Sequence, residues 1–177
     1  HATNGDEVWF AACDRLLLIN NHEALSATSS SWFELPTPAA GATSSSWEEA
    51  SELIQANLLA PMTLTRALLP AMIASPLGGA IVNVARVAGR DIGFPFATDS
   101  TAASAGLLGF TRALRAQANE AHKHGAGSVT VSAVVDGAVS ALPGLGGVEG
   151  GARGDASDVL EVANAVVWAI TYDEPIV

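Results

Sequence analysis

The spacing of the ionisable and nucleophilic side chains in this chain restricts the chemistry they can do. Cys13 is the single cysteine, which excludes an intrachain disulfide and a cysteine-built metal centre. His22, Glu23 and Asp136 are of metal-ligating types, but no ligand spacing joins them, so no metal is expected. Ser100 with His22 has the composition of a hydrolytic pair, yet nothing in the sequence orients the histidine. His122 and His124 flank Lys123 at the end of a predicted helix, where positive charge complements the helix dipole. Arg86 is the clearest anchor for an anion, because a guanidinium matches a carboxylate in two parallel hydrogen bonds. Paired with Asp99 or Asp136, it reads instead as an ion pair filling a cleft. The glycines at 144, 146, 147, 150 and 151 lack the spacing of a dinucleotide turn and read as a loop.

Composition bounds the setting of these residues. The 177 residues suffice for a single domain over 1–177, and 49% of them are hydrophobic. Eight Lys and Arg stand against eighteen Asp and Glu, a formal net charge of −10. That balance argues against nucleic acid and against an anionic membrane surface. No run of eighteen uninterrupted apolar residues occurs, so no membrane-spanning helix is expected. Residues 1–7 are polar and do not resemble a secretory leader, and a reduced, cytoplasmic setting is expected.

The elements that must position these residues follow from the apolar pattern. A helix is expected over Asp6–Cys13 and a strand, buried on both faces, over Arg15–Asn20. Residues 24–46 read as a loop holding a short duplication: Ala27–Trp32 recurs as Ala42–Trp47. Ser46-Trp47-Glu48-Glu49 fits a capping box opening a helix to about Ser75, with Trp47 placed to staple its start. Pro61 and Pro70 inside it predict bends or a break. A strand over 80–84, a helix over Thr101–His122 ended by Gly125, a strand over Ser128–Val135 and a helix over Ser157–Thr171 complete the pattern. The last helix carries an apolar stripe of Val159, Val162, Ala163, Val166, Val167 and Ile170, and Trp9 and Trp168 read as packing residues. Strands alternating with helices predict an α/β fold with a parallel sheet covered on both faces.

From about Ala12 to Asp173 the sequence resembles the classical short-chain dehydrogenases/reductases. The resemblance rests on Leu16–Asn21, Asn57–Met72, Ala80–Gly93 and Ala105–Val135. It implies a partial Rossmann-like, doubly wound parallel sheet lacking the N-terminal glycine-rich βαβ part; no such turn precedes Leu16. It also implies site positions. The cofactor-side turn falls on Asn20, Asn21, His22 and Glu23, and the motif after the last strand on Asp136 and Gly137. The catalytic positions fall on Asn57, Arg86, Ser100 and Ser104, of which Asn57 alone matches the family residue. In the family the positions of Ser100 and Ser104 hold a tyrosine and a lysine.

A serine hydroxyl is a far weaker acid than a phenol, so proton transfer near neutral pH is not expected from Ser100. The resulting expectation is a degenerate, non-catalytic family member without cofactor. It would act as a homo- or hetero-oligomer through helices 47–75 and 101–122, where Ala67, Ala71, Ala105, Gly106 and Gly109 permit close helix approach. The alternative is an NAD(P)-dependent oxidoreductase acting on a carbonyl or alcohol, if the chain is incomplete. A further alternative is a small-anion binding module that uses Arg86 in the vacated cleft.

Overall fold

The computed structural model describes residues 15–21, 29–31, 42–44, 46–86, 97–136 and 156–172. Three strands form a parallel sheet: β1 (Leu16–Asn20), β4 (Gly79–Arg86) and β5 (Val129–Asp136), in the order β1-β4-β5. The central strand is buried almost throughout, and Ala80, Ile81 and Val82 are each 1% exposed. Parallel strands need crossovers, and the chain supplies them as α1 (Trp47–Ile54) with α2 (Ala60–Ala74), and α3 (Thr98–Lys123).

The two-residue period of the strands assigns each face its helices. Ile81, Val129 and Val131 point one way and pack with Leu16, Met72 and Leu114, under α2 and α3. Val82 and Val134 point the other way, onto Val166 and Ala169 of α4 (Ala156–Tyr172). The sheet is therefore covered on both faces, as the alternating pattern predicts. On α4 the covering stripe differs from the expected one. Val162, Ala165, Val166, Ala169 and Ile170 face the sheet, while Val167 is 62% exposed. Trp168 is also largely exposed, its ring 5.3 Å from that of Tyr172.

Strand β1 departs from the expectation of burial on both faces. Leu16 joins the core beneath α2, but Leu17 and Ile19 on the α4 side are 50% and 43% exposed. The reason lies in the position of α4, which packs over β4 and β5 and leaves the neighbouring β1 positions uncovered.

The helix that begins at Trp47 is capped as the sequence predicts. Ser46 Oγ accepts from the Glu49 amide at 3.2 Å, and Glu49 Oε2 accepts from the Ser46 amide at 3.0 Å. Trp47 itself is 67% exposed. Neither proline breaks the helix. A π turn over Gln55–Leu59 joins α1 to α2, with the Ala60 amide bonded to the Gln55 carbonyl. The wider turn lies directly ahead of Pro61, where the missing amide would interrupt an α ladder. By length and composition Trp47–Ala74 could cross a membrane. Pro61, Thr65 and Met72 are buried against the rest of the fold, and 22% of the apolar window is buried in all.

Helix α3 ends where Gly125 was expected to end it. Gly125 takes φ +92°, its amide reaches the His122 carbonyl, and the Ala126 amide reaches that of Ala121. Residues 24–46 hold more order than a loop. Strands β2 (Ser29–Ser31) and β3 (Ala42–Ser44), one from each copy of the duplication, pair in parallel with Ser29 opposite Ala42. The expected helix over 6–13, the glycine-rich stretch from 144 and residues Trp9 and Trp32 lie outside the described residues.

Candidate functional site at the carboxyl edge of the sheet

Open α/β sheets bind ligands beyond the carboxyl ends of their strands, so that edge carries the candidate residues. Asn20 closes β1, Arg86 closes β4 and Asp136 closes β5. The register sets Asn20 opposite Asn83, so β4 runs three residues past β1, and it sets Arg86 opposite Asp136. Arg86 is 8% exposed.

Asn57 lies in the π turn and is also buried. Its neighbour Leu58 packs on Ala85, Leu107, Leu108 and Ala133. Leu58 also lies against Gly106, where an added Cβ would come within 2.8 Å of it. These contacts bring the π turn, the end of β4 and the first half of α3 together. Three of the four catalytic positions implied by resemblance (Asn57, Arg86 and Ser104) thus belong to segments in mutual contact, and Ser100 lies one turn of α3 before Ser104.

Ser100 and Ser104 are four residues apart and share the buried face of α3, each 7% exposed. The Ser100 hydroxyl is sealed from solvent and finds no hydrogen-bond partner among the described residues. A buried hydroxyl left in this state costs roughly 1–3 kcal/mol. Asp99, beside it, is 3% exposed. Neither serine supplies an acid to protonate a carbonyl substrate or a cation to hold a ribose, so these two positions do not fit a nicotinamide nucleotide used in the manner that the resemblance implies.

The side chain of Asn20 is committed inward. Its Nδ2 donates to Asn83 Oδ1 at 2.7 Å, Asn83 Nδ2 donates to Thr111 Oγ1 at 2.8 Å, and that hydroxyl donates to the Leu107 carbonyl at 2.7 Å. This buried relay ties β1, β4 and α3 together beneath the edge. Asn83 and Thr111 were not among the expected site residues. The signal was present, since Asn83 interrupts an apolar strand and a buried amide must find partners. Asn21 is exposed, and His22, Glu23 and Gly137 lie outside the described residues. Among the described residues no group of His, Cys, Asp and Glu is placed to hold a metal ion.

Comparison with known proteins agrees with this architecture. A family profile described as short chain dehydrogenase matches residues 34–142, more than half of the chain. A curated relative, the ketoacyl reductase HetN of Nostoc sp., is 37% identical over 132 residues, which cover 69% of this chain and 40% of the relative. The chain therefore spans well under half the length of that relative. A metagenomic short-chain oxidoreductase solved in complex with NADP superposes with a TM-score of 0.55 at 28% identity, covering 92% of this chain and 59% of the solved one. A short-chain dehydrogenase from Sphingobium yanoikuyae, in complex with NADPH, gives a TM-score of 0.62 at 21% identity and covers 90% and 55%. The first likeness concerns sequence and fold, the second the fold alone. With the parallel three-stranded sheet, helices on both faces and the profile match, the chain belongs to the short chain dehydrogenase family.

Proposed function

We propose that this chain is a non-catalytic member of its family that works as a subunit of an oligomer. The observation that carries the reading is the pair Ser100 and Ser104. Both are buried, and they fill the positions that the resemblance gives to the tyrosine and lysine of the reaction. With neither phenol nor ammonium at these two positions, Ser100 and Ser104 offer no group able to pass a proton near neutral pH. The outer surface of α3 supports the subunit role. Ala105 and Gly109 are exposed there, and a Cβ at Gly109 would meet nothing within 4 Å. On α2, Leu64 is 50% exposed. Such a surface lets a second helix approach closely.

Sedimentation velocity tests the subunit reading. The native chain is expected to sediment as a dimer or larger species, and Ala105→Glu with Gly109→Glu is expected to yield monomer. A native chain that is monomeric at every concentration contradicts it.

A second reading is an NAD(P)-dependent oxidoreductase acting on a carbonyl or alcohol. Two observations favour it: Asn57, the position that matches the family residue by resemblance, is buried in the π turn, and the solved relative at 28% identity holds NADP. The small-anion reading has less support, because the ladder sets the acidic Asp136 across from Arg86.

A further inference from the structure

We draw no further inference here: the strongest candidate, the apolar patch on the α4 side of β1 where Leu17 and Ile19 stand exposed at the margin of the three-stranded sheet, carries nothing because nothing in the structure shows what covers it.

Discussion

Asn20 and Asn83 face each other in the β1–β4 ladder, and their side chains are joined by a 2.7 Å hydrogen bond from Nδ2 to Oδ1. Asn83 is 0% exposed and passes its own amide hydrogen to Thr111 on α3. A strand, the next strand and a helix are thus fastened at one point beneath the carboxyl edge. The polar residues cost little in this core because each is satisfied by the next.

Thr111→Val keeps the volume of the side chain and removes the acceptor of Asn83 Nδ2. One buried donor is left unsatisfied, so a loss of roughly 1–3 kcal/mol in unfolding free energy is expected. Urea denaturation measures it, and a change below about 0.5 kcal/mol would mean that the relay is not held in solution.

Ser100 sets up the opposite outcome. Its hydroxyl is buried without a partner among the described residues. Ser100→Ala is expected to leave the urea midpoint unchanged or to raise it, because the desolvated hydroxyl contributes nothing. Ser100→Tyr is expected to destabilise by roughly 1–3 kcal/mol, since a site packed to serine size must be forced open. A tyrosine accepted without loss would show that the cleft is still shaped for a phenol.

Gly78 takes φ +71°, and a Cβ there would stand 1.8 Å from the Ser128 carbonyl oxygen. Both the dihedral and the contact oppose a side chain. Gly78→Ala is expected to cost more than about 2 kcal/mol and to lower the melting temperature by several degrees. Gly109→Ala, in open space on α3, is expected to stabilise by up to about 1 kcal/mol in the monomer.

The Ser46–Glu49 capping box gives a smaller, local effect. Ser46→Ala is expected to cost roughly 0.5–2 kcal/mol, and to do so without altering the carboxyl edge.

Much of this architecture is legible in the sequence because the sheet is buried. Ala80–Val84 and Val129–Val135 are predominantly apolar on both faces, as strands covered on both sides are, and Ser46 and Gly125 mark helix ends by chemistry that is local. What was not legible depended on neighbours distant in the chain. The exposure of Leu17 and Ile19 follows from where α4 lands, which the β1 sequence does not encode. The survival of the helix through Pro61 follows from a π turn, which composition does not announce. The pairing of β2 with β3 is a non-local match between two serine-rich segments of weak strand propensity. The resemblance implies site positions at Asn57, Arg86, Ser100 and Ser104, and packing brings the π turn, the end of β4 and the first half of α3 together. The inward commitment of Asn20 to Asn83 appeared only once the strand register was known.

The central claim is that this chain does not carry out nicotinamide-dependent hydride transfer. Its most direct test is fluorescence titration with NADH and NADPH of protein whose intact mass has been confirmed near 18.0 kDa. The account expects no saturable binding of either nucleotide. Saturable binding at that mass, with nucleotide oxidation on addition of a carbonyl compound, would contradict it and establish the oxidoreductase reading.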